Sequence, residues 1–251
     1  FGSGAAAGEK SDSKFGLWVS GARTKVDGDA TGAGFDADAD SAMVGIDVRP
    51  VKEFMIGIAG GYEESDTATA FNRGNSDSRG RTGAAYVSIS FSDQVSLDAV
   101  GGYTWLDYDM NRLDPLSNVK ISASDVDAKR WFGSINLVGT WSLGESVDFG
   151  IKAGTLYVKE EIDGFTEIGG ANNVVIGAST VTVGTANAGL RLSGSHEYAR
   201  PYIEGTYGYD YNEAGGTNYT GQHAYGGAAG FDISIGDSLS FNIEGRGILK
   251  D

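Results

Sequence analysis

Apolar and polar residues alternate with a period of two along most of this chain, in runs of roughly 10–14 residues. That period belongs to strands whose two faces meet different surroundings. In residues 200–212, RPYIEGTYGYDYN, one set holds Ile203, Gly205, Tyr207, Tyr209 and Tyr211. The interleaved set holds Tyr202, Glu204, Thr206, Gly208 and Asp210. One face is greasy and aromatic and the other polar, which raises the question of which solvent each face meets.

The same division recurs. Ala42, Val44, Ile46 and Val48 oppose Met43, Gly45 and Asp47, and Val95, Leu97, Ala99, Tyr103 and Trp105 oppose Ser96, Asp98, Gly102 and Thr104. Trp131, Ile135, Leu137 and Trp141 oppose Arg130, Ser134, Asn136 and Thr140, while Phe149, Ile151, Ala153 and Tyr157 oppose Asp148, Lys152 and Gly154. With FGLWVSGARTKV at 15–26 and Leu239, Phe241 and Ile243 near the end, about eleven strands are countable.

Connections alternate between short turns (RPVKE, SDQ, SLGES, GSHEYA, GDS) and long polar excursions. The excursions are DGDATGAGFDA, SDTATAFNRGNSDSRG, YDMNRLDPLSNVKISASDVD, EEIDGFTEIGGANN and NEAGGTNYTGQ. Strict alternation of short and long predicts an all-β, antiparallel up-and-down transmembrane barrel with two unlike rims. A soluble sandwich uses shorter strands and charges its outward face. Here the large apolar face carries Tyr103, Trp105, Trp131, Trp141, Tyr207 and Tyr209 near strand ends, as aromatics at a lipid interface do. The small and polar face then lines a wet lumen. Its charges are Asp47, Glu63, Asp98, Arg130, Lys152, Arg191, Glu204, Glu244 and Arg246, which keep the lumen solvated or guide a threaded chain.

Composition narrows the alternatives. The 40 glycines against 3 prolines, with 11% aromatics, must fit inside ordered structure, where small lumen residues leave room and ease bending. A net charge of −15 argues against nucleic-acid binding. With no cysteine and only His196 and His223, neither a disulfide framework nor a thiolate or histidine metal site is expected, and no cofactor. No run of 18 apolar residues makes a transmembrane helix. FGSGAAAGEKSDSKF has no signal-peptide pattern and reads as a linker, residues 1–14, leading from a longer chain into a barrel over 15–251.

Enzymatic chemistry finds little support. His223, near Asp210, Tyr211 and Gln222 in sequence, suggests a rim hydrolase, yet His196 belongs to the opposite rim and no second histidine is near, so no catalytic residue is assigned. DGD and DADAD, at 27–29 and 36–40, lack the glycine and glutamate spacing of a helix-loop-helix calcium site and read as an exposed acidic loop. Glycine runs such as GAGFDADAD are not followed by a helix pattern, which excludes a dinucleotide loop.

The stretches FGLWVSGARTKVDGD, ADADSAMVGIDVRPVKEFMIGIAGGYEES and SLSFNIEGRG resemble the translocator β-domain of autotransporters, the type V secretion proteins of Gram-negative outer membranes. The resemblance covers nearly the whole chain through pattern and spacing. It implies a barrel of about 12 strands that anchors and exports an N-terminal passenger through its pore. It also implies outer-membrane lipids, the passenger segment and the insertion machinery as partners, with the barrel monomeric. Family members end on a further strand closing in Phe or Trp, whereas this chain stops at ILKD, so a final strand is expected to be missing. A diffusion channel of the same architecture is the alternative, and a soluble β-sandwich adhesin a more distant one.

Overall fold

A computed structural model describes residues 14–28, 34–70, 72–114, 117–170, 172–194, 199–214, 223–235 and 239–250. Eleven long strands close into a barrel in the order β1-β13-β12-β11-β10-β7-β6-β5-β4-β3-β2. They are β1 (Phe15–Gly28), β2 (Phe35–Val51), β3 (Phe54–Thr69), β4 (Gly74–Ser90), β5 (Val95–Leu113), β6 (Lys120–Ser142) and β7 (Val147–Ile162), then β10 (Ser179–Gly194), β11 (Ala199–Ala214), β12 (His223–Ile235) and β13 (Leu239–Lys250). Between β7 and β10, β8 (Phe165–Glu167) and β9 (Val174–Ile176) form a separate two-stranded hairpin.

Every sequential barrel pair is antiparallel and in continuous register, apart from irregularities at Val48/Val51, Tyr108/Met110 and Gly184/Thr185. An odd number of up-and-down strands leaves the first and last running the same way. Closure is therefore a parallel seam, and it spans only the three pairs Leu17↔Leu239, Trp18↔Ser240 and Val19↔Phe241.

The outward residues are the apolar set expected from alternation: Ile58 is 60% exposed, Ile135 52% and Leu190 56%. Surfaces this apolar are stable only against lipid. Trp131 and Trp141 mark the two ends of the band on β6 and are ten residues apart. That is roughly 33 Å along a strand, or about 25 Å of bilayer at a barrel's usual tilt of about 40°.

Two expected loops are corrected. SDTATAFNRGNSDSRG is strand on both sides of a tip at 70–73, and YDMNRLDPLSNVKISASDVD is strand up to Leu113 and again from Lys120. Beyond the bilayer both faces meet water, so the hydrophobic alternation fades while backbone pairing continues, with one register shift at Tyr108/Met110. The third, EEIDGFTEIGGANN, begins with the last three residues of β7 and contains β8. Ser122 and Ile168 exchange two backbone hydrogen bonds of 2.9 Å that fasten this hairpin to β6. Glu167 takes the Arg112 guanidinium at 2.8 and 2.6 Å, which holds Arg112 above its ordinary pKa and keeps it cationic at any physiological pH.

Candidate functional site: the charged lumen

The inward face is small by construction, and its few large rings lie over glycines of the neighbouring strand. A Cβ on Gly45 would meet the Trp18 ring at 2.4 Å, one on Gly57 the Tyr86 ring at 2.2 Å, and one on Gly102 the Phe132 ring at 2.2 Å. Laid against the glycines of the wall, these rings supply packing on the inner face. Trp18 Nε1 donates to the Tyr86 hydroxyl at 2.6 Å, and that hydroxyl donates to Asp47 at 3.1 Å, so Asp47, only 6% exposed, is held in place.

Charges gather on two walls at different heights. Toward the extended rim, Arg130 on β6 donates to Glu63 on β3 at 2.6 Å and to Glu160 on β7 at 2.7 Å, while the Tyr108 hydroxyl donates to Glu160 at 2.6 Å. Gly80, on the strand beside β3, lets Glu63 lie across it, since a Cβ there would stand 2.6 Å from the Glu63 Cγ. Buried Leu106 and Thr104 pack beneath this group.

The second group lines β10 to β13 toward the short-turn rim. Arg191 pairs with Asp232 and sits 3.6 Å above the Tyr202 ring centroid. The Tyr202 hydroxyl donates to Glu244 at 2.7 Å and accepts from Asn242 at 2.9 Å. Arg246 donates to Glu244 at 2.9 Å and to Glu204 at 3.5 Å. Arg191 is level with Gly150 on β7, ten residues from Glu160, which separates the two groups by roughly 33 Å along the strand.

Lys152 and Asp98 stand apart from both networks. Neither enters an ion pair among the described residues, although Lys152 feels the fields of Glu204, Asp98 and Glu244. All nine expected lumen charges thus lie on the inner face, seven with direct partners and two without. Tyr108, Glu160, Asp232 and Asn242 were not among the expected lumen residues, and Tyr202 was read only as a member of the polar face. For Glu160 the signal was available, because Lys152, Gly154, Leu156, Val158 and Glu160 continue one period-two face into what reads as a loop.

The expected interface aromatics all lie outward. The Tyr103 ring stands edge-on to Trp105 at 4.6 Å and to Trp131 at 4.4 Å, and Tyr207 and Tyr209 flank His223. Trp141 belongs to the opposite rim of the band. His223 Nδ1 shares a 2.8 Å hydrogen bond with the Tyr207 hydroxyl on the outer face. Asp210, by contrast, is buried on the inner face and accepts from Thr185 at 2.7 Å. The wall separates the two, and the sequence neighbours of the hydrolase reading do not converge. His196 and Gln222 lie outside the described residues. Among the described residues no three His, Cys, Asp or Glu side chains are grouped to hold a metal.

The model of the autotransporter β-domain family matches residues 17–243. No curated protein sequence matches the chain. Among solved structures, the translocator domain of autotransporter NalP from Neisseria meningitidis is similar at a TM-score of 0.80 and 14% identity, over 96% of this chain and 84% of that one. The β domain of the Bordetella autotransporter BrkA gives 0.74 and 16% identity, over 95% and 94%. The transport unit of autotransporter AIDA-I from Escherichia coli gives 0.59 and 16%, over 96% and 86%.

Proposed function

The chain belongs to the autotransporter β-domain family, and from that premise we propose that its charged lumen contacts the chain's own passenger segment during export. β-domains of this family are outer-membrane translocators of Gram-negative bacteria that anchor and export a passenger, and they are not enzymes. The diffusion-channel alternative is not favoured by the family match.

The observation that carries the proposal is the state of the lumen charges. Most are locked to the wall in two networks, while Lys152 and Asp98, half-buried on the inner face, remain without an ion pair among the described residues and are left to pair with a polar polypeptide. A wall with satisfied side chains offers a threaded chain few sticky contacts, and unpaired groups of both signs give it weak, reversible ones. Residues 1–14 act as the linker leading into the barrel, and residues 15–251 as the translocator domain. The barrel works as a monomer delivered by the outer-membrane insertion machinery.

Protease shaving of intact cells that express the complete gene tests this reading. Peptides mapping upstream of Phe1 should be released while the barrel stays protected. Release restricted to rim segments such as 109–126, with no upstream peptide, would sink the export reading and make the channel the leading account.

A further inference from the structure

The outer face of β3 to β7 carries an arrangement that export does not use. Register places Tyr62, Arg81, Trp105 and Lys129 side by side on four adjacent strands. One step toward the membrane lie Gly83, Tyr103, Trp131 and Lys159, and one step further Ala85, Gly101, Gly133 and Tyr157. This last row floors a lipid-facing groove of about 590 Å³ lined by Ile56, Ala85, Ala99, Gly101, Gly133 and Tyr157. Cations, indole rings and groove therefore succeed one another within roughly 14 Å along each strand.

The cations are unusual for their pairing. Three other outward bases are matched: Arg23 to Asp40 at 3.8 Å, Lys25 to Asp38 at 3.1 Å and Lys159 to Glu161 at 2.5 Å. Arg81 and Lys129 are exposed and make no direct ion pair among the described residues; register sets Lys129 opposite Glu161, whose carboxylate is held by Lys159. They flank Trp105, which is 57% exposed, and Trp131 below them is 56% exposed. In a chain of net charge −15, Arg81, Lys129 and Lys159 against the one carboxylate of Glu161 make a local excess of positive charge at the aqueous edge of the apolar band. The row immediately above holds Glu64, Asp107 and Asp127 beside Arg79, so the acids dominate that row and the bases Arg81, Lys129 and Lys159 lie in the two rows nearer the membrane.

We propose that this sector binds one phosphorylated, multiply acylated glycolipid of the outer leaflet. Its acyl chains occupy the groove, its sugars lie against the Trp105 and Trp131 rings, and its phosphate bridges Arg81 and Lys129. Arginine offers the phosphate a planar fork and lysine a point charge. A zwitterionic phospholipid would fill the groove equally well but leave both cations without an anion of their own. The inference rests on the outer-membrane setting and not on passage of a passenger, so its test and the shaving experiment fail independently.

Native mass spectrometry of the purified barrel in detergent, with lipid A as the probe, tests it. Retention of lipid A should exceed that of phosphatidylethanolamine. The double variant Arg81→Gln/Lys129→Gln should lose about twenty-five-fold, each charge near an anionic surface being worth roughly a factor of five. Gly133→Leu should weaken retention by filling the groove, and it is tolerated because a Cβ there has no neighbour nearer than 3.7 Å. Dephosphorylated lipid A on the unaltered barrel should fall as the double variant does, a comparison that holds even where a variant fails to fold. Equal retention of phosphorylated and dephosphorylated lipid would overturn the proposal. So would loss on chelation of divalent cations with no effect of the double variant, which would put the lipid on the acidic rows through a metal bridge. Displacement by millimolar inorganic phosphate alone would overturn the acylated ligand.

Discussion

At the scale of single residues, the many glycines divide by what lies over them. Gly57 is covered, since a Cβ there would meet the Tyr86 ring at 2.2 Å and the Ile46 carbonyl oxygen at 2.7 Å. Gly83, on the outer face of the next strand, has nothing within 4 Å. Gly57→Ala must therefore lift the Tyr86 ring, breaking its hydrogen bonds to Trp18 and Asp47, at a cost of about 1–3 kcal/mol. Gly83→Ala should be neutral or stabilise by up to about 1 kcal/mol, because it fills lipid-facing space and restricts the unfolded chain. Heating in SDS and reading the shift between folded and unfolded gel mobility separates the two: Gly57→Ala unfolds at a lower temperature than Gly83→Ala. Equal unfolding temperatures would show that the ring does not depend on the glycine beneath it.

At the scale of strands, the extensions beyond the bilayer carry an electrostatic liability. Register sets Asp38, Asp66, Asp77 and Asp109 directly opposite one another across β2 to β5. Like charges directly opposed in a sheet are destabilising. The ends of the row are relieved by Lys25 at 3.1 Å from Asp38 and Arg79 at 3.8 Å from Asp109, which leaves Asp66 and Asp77 facing each other in the middle. Asp66→Asn should stabilise the β3–β4 extension by about 0.2–1 kcal/mol, seen as slower protease nicking near the tip at 70–73. High salt should shrink the difference; an equal nicking rate at low salt would show that the row is already neutralised. These extensions were hidden in the sequence for the same reason they are acidic. Water on both faces removes the selection for alternation, so a strand there reads as a loop. Inside the bilayer the contrast of lipid and lumen wrote the strands, their faces and the outward direction of Trp105, Trp131 and Tyr207 into the pattern. What the pattern lacked was partnership. Arg130 reaches Glu63 three strands away, and Arg191 reaches Tyr202 and Asp232, contacts that depend on register and closure rather than on any local spacing.

At the scale of the whole molecule, the barrel is a wall with one face for lipid and one for a guest, and adjacent residues on a strand sample the two. Asp98 and Lys152 face the lumen, while their neighbours Ala99 and Ile151 face lipid. A passenger segment moving through the pore passes the first pair and is shielded from the second by the thickness of a sheet. Side-chain direction alternates so strictly that a one-residue step reverses it. A photo-crosslinking amino acid placed at Asp98 or Lys152 in the complete protein should therefore capture the passenger segment during export, with a yield about tenfold above the same group at Ala99 or Ile151, since burial against the opposite face removes encounters rather than weakening them. Because all four positions lie within the apolar band, differences in insertion or folding affect each pair alike, and the ratio reports direction alone. Capture at all four sites alike would mean that the segment is met before the wall has closed, in an open sheet. Capture at none, with export intact, would mean that the passenger does not use this lumen, and the unpaired Lys152 and Asp98 would then serve only to keep the pore wet.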